Sequence, residues 1–175
     1  MYKNITTPLT EDDINSLSSG DFVYITGTIY TARDVAHERL YSAFLNNEEI
    51  AFELENNIIY YLGPTPAKPG QVIGSAGPTT SSRMDKYTPL LLDRGLKGMI
   101  GKGKRSDAVI DAMIRNKAVY FAAIGGAGAI LSKCIKESEV IAYDDLGTEA
   151  IRKLRVENLP VIVVIDHKGN NMYNR

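Results

Sequence analysis

Short apolar runs alternate with helix-period stretches along this chain, and the alternation predicts an α/β fold. "FVYITGTIYTA", beginning at Phe22, is dense in β-branched and aromatic residues and reads as a strand, with Gly27 marking a bulge or a close approach of backbone. Before it, "TPLTEDDINSL" places Thr10 three residues ahead of Asp13, the spacing of a capped helix, with Ile14 and Leu17 on the buried side and Gly20 and Asp21 as the stop. After it, Val35, Leu40 and Phe44 recur near the helix period in "ARDVAHERLYSAFLNNEE". "NNIIYYLGPTP" is again strand-like and is ended by Gly63 and Pro64.

The second half repeats the alternation. Gln71–Gly74 reads as a short strand among turn residues, and Tyr87–Arg94 as a short helix whose first turn accommodates Pro89. "LKGMIGKGKRSDAVIDAMIRNKAVYFAAIGG" gives a strand, a glycine-rich turn, a helix and a further strand. "AAIGGAGAILSKCIK" predicts a tight loop leading into a helix, and "SEVIAYDD" a strand. "GTEAIRKLRVENL" reads as a helix or helix-like connector before the final strand "PVIVVIDHKGNN". No repeat or disordered linker interrupts this order, so the expectation is one compact α/β domain over residues 1–175 with a mixed sheet.

Composition narrows the function classes. Apolar residues make up 44% of the 175, enough for a real core, and the formal net charge is −1. That balance gives no basic footprint for nucleic acid and no polybasic membrane patch. The N-terminal stretch lacks a signal-peptide core and no apolar run reaches spanning length, so a cytoplasmic location is the expectation. Cys134 is the single cysteine, which rules out an internal disulfide and a cysteine cage built from this chain alone.

Candidate chemistry gathers at turns. Arg33, Thr79, Thr80, Arg83, Lys102, Lys104 and Arg105 each adjoin glycine-rich or turn-like sequence. Arginine forms rigid paired bonds to carboxylate and lysine a mobile point charge, so the set suits an anionic ligand, although each cation alone reads equally as solvated surface. "GKGKRSDAV" lacks the spacing of a nucleotide phosphate loop, and Ser106–Asp107 there reads either as a helix cap alone or as a cap whose helix amides also hold an anion. Gly125–Gly126–x–Gly128 is not a dinucleotide fingerprint and reads as close packing. His37 follows Arg33 by one helical turn, as an orienting group or as a histidine bonded beside the core. Cys134 reads as packing, His167 as a solvated turn residue, and the adjacent Asp144 and Asp145 do not define a cation site.

"GPTTSSRMDKYTP" followed by "GLKGMIGKGKRS" resembles the β subunit, or C-terminal domain, of the iron–sulfur class I fumarases and L-tartrate dehydratases. "GTIYTARDVAHERL", "AAIGGAGAILSKCIK" and "DDLGTEAIRKLRVENLPVIVVIDHKGNNMY" extend the resemblance over nearly the whole chain, with Ser82 where the family often has glycine. The resemblance implies a swivelling β/β/α domain that completes an active site with a separate α subunit, in an α₂β₂ assembly. It implies that the α subunit holds a [4Fe–4S] cluster and that this chain holds no metal. The reaction implied is reversible hydration of fumarate to L-malate, with L-tartrate dehydration as the alternative and a noncatalytic dicarboxylate-binding domain as a reading of another class. By the same resemblance, Arg33 and Arg83 clamp carboxylates, Thr79 transfers the proton with an aspartate of the α subunit, and Thr80 orients the loop. Lys102 supplies a further positive contact, shared in an open assignment with Lys104, and His37, Asp85 and Arg105 are the candidates for support.

Overall fold

The computed structural model describes residues 2–124 and 128–174. Its strands are β1 (Tyr2–Thr6), β2 (Phe22–Thr31), β3 (Ile58–Tyr60), β4 (Gly98–Gly101), β5 (Val119–Ala123), β6 (Ile135–Ala142) and β7 (Ile151–Ile165). The α-helices are α1 (Glu11–Ser16), α2 (Asp34–Leu45), α3 (Thr88–Asp93), α4 (Asp107–Asn116) and α5 (Gly128–Ser132), and 3₁₀ turns occupy Ser81–Met84, Asp144–Glu149 and Met172–Asn174. The expected mixed α/β architecture is present, and its seven-stranded sheet runs in the order β1-β2-β3-β4-β5-β7-β6. A further antiparallel pairing of β2 with β7 closes β2, β3, β4, β5 and β7 into a five-stranded barrel.

Closure follows from two long strands that use both edges. Residues Phe22–Ile25 of β2 pair with β1 on one side and with β7 on the other, and Tyr30 pairs with Ile59 and Lys153 in the same way. In β7, Leu154 and Val156 pair with both β2 and β6, whereas Val161 and Ile162 pair with both β2 and β5. A ten-residue β2 and a fifteen-residue β7 can serve three partners each because successive partners take successive halves of one edge.

Alternation sorts the side chains into two cores. Ile58, Tyr60 and Leu62 join Val23, Ile25, Ile29, Ile100, Phe121, Leu154, Val156, Val161 and Val163 in one cluster, the barrel interior. Ile59, Tyr61, Met99, Tyr120 and Ile165 point the other way and pack with Leu40 of α2, Leu91 of α3 and Val109 and Met113 of α4. Burial of both faces explains why β3 reads as an unbroken apolar run. Thr10 caps α1 in a reciprocal capping box with Asp13, and Ile14 and Leu17 are buried, as the spacing predicts.

Three expectations are corrected, and one strand is added. Residues 151–157 form the first half of β7 instead of a helix: Ile151 and Leu154 have helical spacing, but both are buried in a ladder whose register shifts near Val140 and near Gly27 and thereby breaks strict alternation. Gln71–Gly74 makes bends and no strand, with Gly74 instead packed against the Thr65 backbone. Val35 is exposed, and Ala36 and His37 take the buried side of α2 with Leu40 and Phe44. Residues 2–6, unassigned by pattern, form β1 because β2 offers them an edge. Gly125 and Gly126 lie outside the described residues.

Gly27 adopts φ +128° at the register shift in β2, and a Cβ there would fall 2.3 Å from the Thr7 hydroxyl oxygen and 3.2 Å from the Thr7 backbone nitrogen. Gly27→Ala is expected to destabilise the fold by about 2 kcal/mol through strain and overpacking, read as a lower urea midpoint at unchanged slope.

Candidate active site

Because β2, β3, β4 and β5 are mutually parallel, the segments leaving their carboxyl ends emerge at one end of the barrel. That geometry brings Arg33, Gly63, Lys102 and Ala123 to a common rim although they are far apart in sequence. Strand carboxyl ends are where parallel α/β sheets and barrels bind ligands. A cavity of about 480 Å³ opens there, lined by Gly63, Gly77, Pro78, Lys102, Ala123 and Leu131 among others. A groove of about 580 Å³ adjoins it through Thr65 and Ser75 and carries Lys68, Lys133 and Lys136.

The threonine loop is held to this rim by backbone. The last bond between β3 and β4 runs from Tyr61 N–H to Ile100 O, and beyond it Thr79 N–H donates to Tyr61 O at 2.8 Å while Ser81 N–H donates to Lys102 O at 2.9 Å. Thr80 and Lys102 thus sit side by side in a parallel bridge. Upstream, the Tyr60 hydroxyl donates to Ala76 O at 2.6 Å and Ala76 N–H to Gly128 O at 3.0 Å. Gly101 is required where Ser81 passes, since a Cβ would lie 2.0 Å from its Oγ. The Ser81 hydroxyl is bonded to the Tyr120 hydroxyl at 2.7 Å, which donates to Gly103 O at 2.8 Å. The peptide conformation of residues 79–81 is therefore fixed, while Thr79 is half-buried and Thr80 and Lys102 are exposed.

Beneath the loop lies a buried cation. The Arg105 side chain is fully buried; its Nε donates to Asp85 at 2.7 Å, and one Nη donates to the Tyr61 hydroxyl at 3.0 Å and Thr88 Oγ1 at 3.1 Å. Its guanidinium also lies over the Tyr61 and Tyr120 rings, at 5.2 and 4.9 Å from their centroids. Burial disfavours the charge, but Tyr61 and Asp85 outweigh it and hold the pKa above the ordinary arginine value. The second Asp85 oxygen accepts from Ser106 N–H at 2.8 Å, and Ser106 caps α4. Asp85 and Arg105 thus hold together the threonine loop and the lysine loop.

The third wall is the start of α2. Arg33 extends across the end of β3: a Cβ on Gly63 would meet its Nη1 at 2.6 Å, and its Nε is 3.8 Å from Glu149. Arg83 pairs with Asp34 at 2.7 Å, joining the 3₁₀ turn of the threonine loop to α2. The buried His37 ring is bonded through Nδ1 to the Arg33 carbonyl at 2.8 Å and meets Tyr61 edge-on. Burial pushes its pKa down to about 4, with the Arg33 carbonyl opposing and Arg105 reinforcing the shift. The neutral ring therefore donates from Nδ1.

The residues singled out by sequence divide accordingly. Arg33, Thr79, Thr80 and Lys102 border one rim, Arg83 is tied beside it, and His37, Asp85 and Arg105 are built into the layer underneath. Lys104 is exposed on the same loop and is not among the residues lining the cavity. Asp145 pairs with Arg39 at 2.7 Å. Asp34, Gly63, Tyr61 and Tyr120 escape sequence reasoning; the Asp34 position beside Arg33 in "ARDVAH" is the one local signal among them. Cys134 packs against the barrel core and is 3.8 Å from Asn158 O, and burial raises its pKa. Among the described residues no group of three or more His, Cys, Asp or Glu is set to hold a metal ion, so this chain's donors do not fit an iron–sulfur cluster.

Two outcomes test this foundation. Asp85→Asn leaves the Arg105 charge buried without its counter-ion and is expected to cost about 3–5 kcal/mol, read by chemical denaturation. His37 has a depressed folded pKa, so its contribution is fully present above pH 6.5 and is lost as the pH falls toward about 4. The change across that window is about 3 kcal/mol, and His37→Gln is expected to flatten the stability–pH curve there.

With the geometry in view, similarity to known proteins becomes informative. The chain matches the family described as Fumarase C-terminus over residues 3–175. It is 40% identical over 86% of its length to "Fumarate hydratase class I, anaerobic" of Escherichia coli (strain K12), covering 28% of that protein. It is 39% identical over 89% of its length to "Fumarate hydratase 2" of Leishmania major, again covering 28%. A Methanocaldococcus jannaschii protein provisionally named L(+)-tartrate dehydratase subunit beta is 37% identical over 94% of this chain, which covers 88% of it. The chain thus spans little more than a quarter of the fumarate hydratases it matches and most of the separate subunit, and it belongs to the fumarase C-terminal family.

Proposed function

We propose that the chain is the β part of an iron–sulfur-dependent hydro-lyase that adds water reversibly to fumarate to give L-malate. The observation that carries this reading is the shared rim at the ends of β2, β3 and β4, where Lys102 lines the cavity, Arg33 packs on Gly63 of its wall and Thr80 is bridged to Lys102. Two carboxylates and a carbon-bound proton require two kinds of group, cations to bind and a hydroxyl to carry the proton. Arg33 and Arg83 bind the carboxylates, and Lys102 stabilises charge that spreads onto one of them as the proton leaves carbon. Thr79 moves that proton through its hydroxyl, with a carboxylate of the α subunit as the final acceptor. The fixed peptide of residues 79–81 keeps the hydroxyl placed without reorganisation.

The whole chain acts as a single swivelling β/β/α domain closing over a separate α subunit, which holds the [4Fe–4S] cluster, in an α₂β₂ assembly. The extensive match to a protein named as a separate beta subunit supports that division. The same match supports L-tartrate dehydration as the second reading. No helix among the described residues is long and apolar enough to cross a membrane, and a cytoplasmic location is part of the proposal.

The test is an anaerobic assay of this chain with its α subunit and reconstituted cluster, following fumarate hydration and L-tartrate dehydration in parallel. Fumarate turnover that needs both chains is expected, as is a loss of about 10²–10⁴ in kcat on Thr79→Ala. Tartrate turnover alone replaces the substrate; absence of both with an intact cluster favours a noncatalytic dicarboxylate-binding domain.

A further inference from the structure

Three of the buried side-chain atoms without a hydrogen-bond partner among the described residues fall in one short segment: Arg33 Nε, Asp34 Oδ1 and His37 Nε2. Buried polar groups are nearly always paired in folded proteins, so such a concentration calls for a physical reason. The segment is the first turn of α2, where the chain leaves the carboxyl end of β2 and meets the candidate site. Asp34 is half-buried here, with one carboxylate oxygen in an ion pair 2.7 Å from Arg83 and the other enclosed and without a hydrogen-bond partner. Arg83 is itself half-exposed and approaches Asp34 through a single Nη.

We propose that Asp34 is a positioning residue for Arg83, fixing one edge of its guanidinium so that the opposite edge is presented to a substrate carboxylate. An arginine has five N–H donors in a planar fork, and an ion pair through one Nη leaves enough of them for a bidentate carboxylate contact. The two arginines of the site are held unequally. Arg33 is held by packing against Gly63 and has no close carboxylate among the described residues, its Nε lying 3.8 Å from Glu149, whereas the more exposed Arg83 has a short ion pair on a different element. Asp34 can act as such an anchor because its own position is fixed in turn. It opens α2 directly after Arg33, whose carbonyl accepts from both His37 N–H and the buried His37 ring. Free rotation of an exposed arginine costs side-chain entropy on ligand binding; an anchored one has already lost it, so the effect belongs in KM more than in kcat.

This inference rests on the dicarboxylate reading for its kinetic arm and not for its structural arm. In the structural arm, side-chain ¹⁵N NMR of the full chain follows the Arg83 Nη–H groups, one of which meets Asp34. A slowly exchanging signal is expected in the wild type, lost in Asp34→Asn and recovered in Asp34→Glu. In the kinetic arm, the assembled enzyme carrying Asp34→Asn is expected to show a roughly tenfold higher KM for fumarate with kcat within about twofold. The same substitution in an Arg83→Ala background is expected to add little, since the group it positions is gone. An unchanged Arg83 signal in Asp34→Asn overturns the proposal whatever the enzyme's substrate. So does an unchanged KM, or an equal KM effect with and without Arg83, in an enzyme whose wild type turns fumarate over. Failure of the wild-type complex to turn over any dicarboxylate counts against the hydro-lyase reading, and the proposal is then decided by the NMR arm.

Discussion

The pairing of β2 with β7 is the constraint on which the rest of this molecule depends. It connects the N-terminal part of the sheet to the C-terminal strand and turns an open sheet into a closed barrel. Closure leaves β2–β5 parallel side by side, and parallel neighbours send their outgoing loops to the same end. A rim shared by Arg33, the threonine loop and Lys102 is thus a consequence of topology before it is a matter of side chains. The register shift at Gly27 belongs to the same pairing: it lets β2 bend past Thr7 while staying bonded to β7.

Below the rim the molecule separates rigidity from chemistry. Arg105, Asp85, Tyr61 and Thr88 form a hydrogen-bonded layer, with the Tyr120 ring stacked on the guanidinium, in which a full charge is buried with its partners. Burying such a pair contributes little net stability, since desolvation offsets most of the attraction, but it strongly penalises any arrangement that separates the partners. Its effect is to specify the relative positions of the two loops. Above it, Thr80 and Lys102 stay exposed, with backbones bonded to each other's segments. A polar site on a fixed backbone suits a transition state whose charge must be met without rearrangement.

The site is also one-sided. The cavity at the barrel end is open, and among the described residues no group of three or more His, Cys, Asp or Glu is set to hold a metal ion. The relatives differ in chain length by a large factor, while the matched region stays about the size of this chain.

Much of this was legible in the sequence. Thr10 and Ser106 announced their helices because a cap is a local hydrogen bond, and the apolar run of β3 announced a strand. Arg33, Thr79, Arg83 and Lys102 stood out through turn context and family resemblance, both carried by nearby residues. The identity of residues 151–157 was not legible, because Ile151 and Leu154 satisfy a helical period as well as an irregular ladder, and only β2 and β6 on either side select the strand. Barrel closure, the Asp34–Arg83 pair, the Arg33 contact with Gly63 and the burial of Arg105 between two tyrosines likewise required the tertiary structure. Local patterns carry hydrogen bonds and periodicities that span a few residues. Contacts between residues separated by thirty or more positions are decided by which strand edges find each other, and no single segment contains that information.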